Sequence, residues 1–497
     1  MRHDDGHDET LRQHTHPSDW VSPTPADRYD LVVVGGGTAG LVASIGAAGL
    51  GARVALVERG YLGGDCLVHG CVPSKAVLHP AHLVGAIRRG AELGLDVELR
   101  EVDFGAVLER MRRIRARIAH HDSAQRLKRE GVDVFFGAAR FVGKDRIRVE
   151  PEGGEAVELS FRRACLATGA RAARPPIPGL DEVGVLTNET LFDLTERPAR
   201  LTVVGAGAIG CEMAQAMARL GSEVTLVDVA GRVLANDAAD AAAVVQAALE
   251  RDGVALRLGA GVERFEPDGE ARVTVLSTGE RVEADAILLA VGRTPNLDLG
   301  LDVAGVRFDR RGVEVDDFLR TSNPRIYAAG DVVGQAQFTH AAYHHARLVI
   351  GNALFFLRGR ASGLVIPHAT YTEPELAAVG VTGEAAEKDP ALTSYVAYLD
   401  DNDRGRTDGE TEGFLRVWVD PKGSIRGATL VGQGAGELLA PVTVAMTHGI
   451  KLHALATTVF PYPTRSELLF QVAGQHNKTR MAPWMKRVLA RWLSWLR

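Results

Sequence analysis

Two short glycine-rich loops constrain this chain more than anything else in it. In the first, Leu31-Val-Val-Val34 runs straight into Gly35-Gly-Gly37-Thr-Ala-Gly40. In the second, Leu201-Thr-Val-Val204 runs into Gly205-Ala-Gly207-Ala-Ile-Gly210. A short apolar run reads as a strand buried on both faces, and the apolar stretch after each loop reads as a helix. Strand, G-x-G-x-x-G and helix in that order make a dinucleotide loop. Its glycines let the backbone approach a pyrophosphate, which rests on the helix N-terminus. Each unit then reaches an acid at the end of its next strand, Glu58 in Val54-Ala-Leu-Val-Glu58 and Asp228 in Val224-Thr-Leu-Val-Asp228. Each acid lies 23 residues beyond its first glycine, from 35 to 58 and from 205 to 228. One such loop says little; two with matched acids specify an α/β chain of two similar units, the second inserted within the first. A strand-end carboxylate accepts hydrogen bonds from ribose hydroxyls. Glu58 suits an adenosine ribose. Asp228 suits NAD better than NADP because it repels a 2′-phosphate, with Arg232 nearby as the residue that could offset this.

Between the loops stand two cysteines five positions apart, in Gly63-Gly-Asp-Cys66-Leu-Val-His-Gly-Cys71-Val-Pro-Ser-Lys75. A regular helix holds Cα atoms i and i+5 roughly 8.6 Å apart, whereas a disulfide needs them within about 7 Å. The two can pair only if the helix is deformed between them. Gly70 loosens the backbone, and Pro73 removes the N–H that would bond His69 O. A position just after a loop, near a helix N-terminus, favours reactive thiolates. Cys165 and Cys211 stand alone in apolar settings and read as packing residues.

The 497 residues predict three or four domains, and the net charge of −6 gives no reason to expect a nucleic-acid partner. Four cysteines are too few for a disulfide-stapled secreted chain. The first residues are polar and His-rich with no apolar signal core, and no run is long enough to span a bilayer. A cytoplasmic protein is expected. Residues 1–28 read as a flexible tail, His3, His7, His14 and His16 included. Residues 29–170 and 295–363 read as the two parts of the first unit, 171–294 as the second, and 364–480 as a separate α+β domain. Residues 481–497 read as a basic amphipathic helix, with proline at its start and no acid after Glu467.

These motifs resemble the pyridine nucleotide-disulfide oxidoreductases, the group of lipoamide dehydrogenase, glutathione reductase and mercuric reductase. The likeness covers about residues 29–475. It rests on both loops with their acids, Cys66 to Lys75, Ala167-Thr-Gly169, Glu212, Val291-Gly-Arg-Thr-Pro-Asn296 and Ile326-Tyr-Ala-Ala-Gly-Asp331. It implies two nested Rossmann-like domains, for FAD and NAD(P), followed by a C-terminal α+β dimerisation domain, and hence a homodimer. It also implies that Asp331 binds the flavin's ribityl chain and that Lys75 and Glu212 pair beside its ring. Electrons are expected to pass from nicotinamide through FAD to a Cys66–Cys71 disulfide. Cys71 is then the flavin-proximal thiol, and Cys66 the one that meets the acceptor.

One position departs from most of the family. Disulfide-reducing members carry His-Pro-Thr-x-x-Glu, whose histidine handles protons from the partner subunit; here the stretch is Tyr462-Pro-Thr-Arg-Ser-Glu467. Tyrosine, with a pKa of about 10, is a poor base near neutrality. Mercuric reductases also place tyrosine here, and a soft metal held by thiolates needs no imidazole. They further carry a vicinal cysteine pair near the C-terminus and a metal-capturing N-terminal domain, whereas the last cysteine here is Cys211. His340, His344, His345, His448 and His453 read as packing or surface histidines. The expectation is an NADH-linked reductase of a small-molecule or soft-metal acceptor, mercuric reductase-like, with no resident metal. Dihydrolipoyl dehydrogenase or another disulfide reductase is the alternative, and a redox-sensing flavoprotein the alternative of another class. The basic helix adds a possible membrane-surface contact.

Overall fold

The computed structural model describes residues 6–481 and 483–497. The first unit is built on a sheet whose parallel core runs Val132–Phe136, Val54–Glu58, Tyr29–Val34, Val157–Leu166. Its strands are apolar on both faces because helices cover both, and Leu31 through Val33 are wholly buried. The far half of Val157–Leu166 turns outward into an antiparallel meander with Arg146–Glu150 and Ala138–Phe141.

The chain leaves this sheet after Leu166 and returns 160 residues later, when Ile326–Ala328 pairs in parallel with Ala164–Leu166. The excursion builds a second parallel sheet in the order Ala255–Leu258, Glu223–Asp228, Arg200–Val204, Ala286–Leu289. A three-stranded antiparallel meander over 262–284 accompanies it. Where the chain departs and comes back, Ala170–Ala172 and Arg293–Pro295 pair antiparallel and tie the two crossings together. This is the nested α/β arrangement expected from the duplicated loops. A third sheet, antiparallel and five-stranded, follows in the order Pro367–Thr370, Glu375–Gly380, Ile425–Gly432, Phe414–Val419, Thr393–Tyr398. Helix Glu467–Arg480 packs on it through Leu468, Leu469 and Val472.

The expectation of a flexible tail is corrected for residues 6–16, while residues 1–5 lie outside the described residues. Gly6–Thr15 is a helix, with Leu11 fully buried against Leu67, Val68 and Ala119. Asp8 and Arg115, each with 1% of its side chain exposed, form an ion pair at 2.7 Å. His16 packs on the Phe136 ring at 4.4 Å and holds Gly60 O, and Leu62 N donates to Thr15 O. His3 lies outside the described residues. No helix among the described residues is long and apolar enough to cross a membrane.

Candidate active site

The helix carrying the two cysteines is broken in two. Gly64–Val68 ends at His69, and Cys71 opens a new helix that runs to Arg88. Gly70 between them sits at φ −119°, ψ −108°, outside both helix and strand. Since Pro73 has no N–H for His69 O, the next donor, Ser74 N, bonds Gly70 O at 3.0 Å and starts the second helix. The break brings the thiols, both free, into hydrogen-bond contact. Cys66 donates to Cys71 and lowers its pKa to about 6 against the opposing effect of burial, helped by the Thr339 hydroxyl 3.2 Å away and the Lys75 charge. As donor, Cys66 is pushed the other way, and burial adds to the rise. The surroundings therefore favour the thiolate at Cys71 over one at Cys66.

Lys75, one turn further, bonds Glu212 at 2.8 Å. Glu212 projects from the second unit's helix Ala208–Arg219, and its other oxygen accepts the Tyr371 N–H at 2.9 Å. The Tyr371 ring lies 4.4 Å from the Lys75 ammonium. On the other side, Asp65 holds Arg293 at 3.1 Å and accepts from Asn188, and Arg293 reaches Asp331 at 3.5 Å. Burial raises the Asp331 pKa while Arg293 opposes the rise.

The two dinucleotide loops repeat one hydrogen-bond pattern. Glu58 accepts from Gly36 N and Gly60 N; Asp228 accepts from Ala206 N and Ala230 N, at 2.6 and 2.7 Å. Each acid thus clamps the residue after its first glycine and the residue two beyond itself. The third glycine is required by contact, since a Cβ at Gly40 would lie 1.7 Å from Gly35 O, and one at Gly210 1.8 Å from Gly205 O. Burial raises the Glu58 pKa, with the two N–H donors pulling against it. Arg232, the residue that could have received a phosphate, instead spends its guanidinium on the carbonyls of Leu234, Ala235 and Asp237.

A single cleft of about 1010 Å³ gathers Gly35, Gly37, Glu58, Gly169 and Asp331 with Cys66, Cys71, Lys75 and Glu212. Gly40 is buried and does not line the cleft. Gly205, Gly207, Gly210 and Asp228, the second unit's own loop and strand end, do not line the cleft, which that unit reaches through Ala208, Ile209, Glu212, Met213 and Leu288. Tyr462 and Glu467 are not in the cleft. Tyr462 is exposed on the C-terminal domain, and its hydroxyl donates to Asp403 at 2.7 Å, which raises its pKa above the ordinary phenol value. His340 lines the cleft with Nε2 2.6 Å from Pro367 O, His345 is buried beside Gly330 N, and His344 is exposed. Cys165 and Cys211 are buried, and burial pushes both thiols up to about 12. Sequence reasoning missed Thr339, Arg293, Asp65 and Tyr371. Arg293 was visible inside Val291-Gly-Arg-Thr-Pro-Asn296 and Thr339 beside His340, but neither pattern discloses a partner.

Residues 29–346 match the pyridine nucleotide-disulphide oxidoreductase family, and residues 366–473 match its dimerisation domain. The chain belongs to this family. It is a flavoprotein oxidoreductase, FAD follows from membership, and the dimerisation domain supports a homodimer. It is 35% identical over 459 residues to a mercuric reductase of Lysinibacillus sphaericus, covering 91% of this chain and 83% of that one. It is 30% identical over 454 residues to a dihydrolipoyl dehydrogenase of Bacillus subtilis (strain 168), covering 89% and 97%. Among solved structures, the Cu(II) complex of the HOCl-induced flavoprotein disulfide reductase RclA from Escherichia coli superposes with a TM-score of 0.81. It is 28% identical, over 90% of this chain and 100% of that one.

The cleft fits FAD on the chemistry of its own walls. Its volume is at the large end of small-molecule sites, roughly 300–1,000 Å³. Helix Thr38–Gly49 opens on it with no side chain capping its first turn, so those N–H groups are left for phosphate oxygens. A Cβ at Gly37 would meet nothing of the protein closer than 3.8 Å, which leaves room for a ligand against the backbone. Each Glu58 oxygen keeps a lone pair for a ribose hydroxyl.

Proposed function

We propose that the chain passes electrons from NADH to a thiolate-bound soft-metal ion, in the manner of a mercuric reductase, with Cys66 and Cys71 as its redox pair. The placing of both thiols in one cleft with the Lys75–Glu212 ion pair, Cys71 against the Thr339 hydroxyl, is the observation that carries the reading. Bound FAD would take up two electrons from the nicotinamide and return them to the sulfur pair. In this reading Glu58, Asp331 and the Thr38 helix terminus hold the cofactor. Thr339 and Lys75 keep Cys71 anionic, while Cys66 keeps its proton until an acceptor displaces it. A soft cation binds thiolates without an imidazole base. Tyr462, its proton committed to Asp403, is a poor replacement for one. The mercuric reductase relatives and the copper complex of RclA support a metal acceptor. The coordination of Asp228 to its loop, and of Arg232 to three carbonyls, favours NADH over NADPH.

A disulfide such as lipoamide is the second reading, motivated by relatives named dihydrolipoyl dehydrogenase. An anaerobic NADH titration of the holoenzyme, followed by turnover with Hg(II)–thiol complexes, lipoamide, glutathione disulfide and quinones, separates the two. The metal complex should turn over fastest. Lipoamide turnover at the rate of a histidine-bearing relative would reject the metal reading.

A further inference from the structure

The helix Pro483–Trp495 has no place in the chemistry above, yet it is sharply two-faced. At ~100° per residue its apolar side chains fill one arc of about 180°, running from Trp484 and Trp495 through Val488 and Trp492 to Leu489 and Leu493. Lys486, Arg487 and Arg491 occupy the other arc, with only Ala490 and Ser494 between them. All of the apolar face is exposed to some degree, from 38% at Met485 and 48% at Leu489 to 61% at Trp484 and 76% at Trp495. A continuous apolar strip of that kind on a folded protein marks a surface that meets something.

Charge and composition choose the occupant. From residue 468 onward the chain carries Lys478, Arg480, Lys486, Arg487, Arg491 and Arg497 and no acid, in a protein whose net charge is −6. Three of its five tryptophans fall within these last residues. Trp484 and Trp495, at the border of the apolar and the basic face, suit the headgroup level of a bilayer, where the ring is buried and the N–H is wet. The helix is 13 residues long, about 20 Å at 1.5 Å per residue, too short to cross a ~30 Å core. We propose that it lies in the surface of an anionic bilayer, with the Trp484–Leu493 face in the acyl boundary and Lys486, Arg487 and Arg491 against lipid phosphates. The enzyme is then held at a membrane surface by an element separate from its redox cleft.

The test uses the full-length holoenzyme and vesicles of phosphatidylcholine with or without 30% phosphatidylglycerol. It should sediment with the anionic vesicles, release as salt rises, and bind pure phosphatidylcholine far more weakly. Brominated acyl chains should quench its tryptophan emission. Arg487→Gln with Arg491→Gln should weaken partitioning roughly fivefold per charge, about 25-fold together, from ~1 kcal/mol for each cation near the surface. Leu489→Asp should abolish both sedimentation and quenching, while turnover with a soluble acceptor stays unchanged in every variant. The proposal is overturned if the wild-type protein stays in the supernatant with anionic vesicles, or if Leu489→Asp leaves binding intact. It is equally overturned if Leu489→Asp converts a dimer to monomers in light scattering, because the face then packs on a second copy of this chain.

Discussion

At the scale of single residues, the asymmetry of the cysteine pair makes a prediction with a definite sign. With its pKa lowered to about 6, Cys71 in the reduced protein is a thiol below that pH and a thiolate above it. The long-wavelength band of a thiolate beside bound FAD should therefore grow as pH rises through about 6, with Cys66 still protonated at 8. Thr339→Val removes one of the groups favouring the anion, so the midpoint should move upward; an unchanged midpoint would show that Thr339 does not touch the sulfur in solution. Cys71→Ser should abolish the band and Cys66→Ser should abolish acceptor reduction, with FAD retained in both. The cysteines and the acids were legible in sequence because their chemistry depends on near neighbours: a glycine between the cysteines and a proline just after them, a loop that opens 23 residues before each acid. Thr339 was not, since its approach to Cys71 is set by where the chain returns 268 positions later. Tyr371 escaped for the same reason, its backbone N–H being its contribution to Glu212.

At the scale of elements, the two loops are duplicates and should fail independently. Gly40→Ala drives a methyl into Gly35 O and opens the first loop, so the protein should purify colourless or with little FAD. Gly210→Ala does the same to the second loop. That variant should stay yellow yet lose reduction by NADH, which a stopped-flow trace of flavin bleaching would show. The strands and helices of both units could be read from apolar runs and glycine spacing, because burial on both faces leaves such a plain pattern. The helix Gly6–Thr15 could not. It holds to the protein by Leu11 and by the ion pair of Asp8 with Arg115, and one apolar residue in a polar, His-rich stretch makes no periodicity. Its attachment reaches the redox centre, since Arg115 also donates to Val68 O at 2.8 Å, at the end of the short helix bearing Cys66. Asp8→Ala would leave the Arg115 charge buried without its carboxylate, a loss of about 3–5 kcal/mol for a pair of this kind. Hydrogen exchange should show the 64–70 segment opening first, and faster than in wild type.

At the scale of the whole molecule, the three sheets are joined by two polar knots, one near the start and one at the end of helix Cys71–Arg88. One is Lys75 with Glu212 and the Tyr371 N–H, which brings a side chain from each nested unit to the backbone of the C-terminal domain. The other centres on Glu373, which takes Arg89 from the first unit at 3.3 Å and the nearly buried Arg219 from the second. Asp252 holds the remaining edge of Arg219 at 3.0 Å, and Gln215 bonds both the N–H and the C=O of Glu373. Burying these charges is costly, so their stabilising effect is realised only when the three units are in register. Glu373→Ala should therefore act differently from a simple cavity. Arg219 keeps Asp252, which limits the loss to the lower end of the usual range, about 2–3 kcal/mol. The freed Arg89 and Arg219 edges no longer hold the residue 373 side chain, and the two Gln215 bonds to its backbone are left to fix the segment 371–373 against the second unit. Tyr371 N is two residues away, so its bond to Glu212 should loosen with it, and Lys75 should lose part of its partner. The expected outcome is a lower denaturation midpoint together with an upward shift of the Cys71 titration, because the Lys75 charge is held less firmly near the sulfur. A fall in stability with no movement of that titration would mean that the two knots are independent, and that the C-terminal domain steadies the chain without reaching its redox centre.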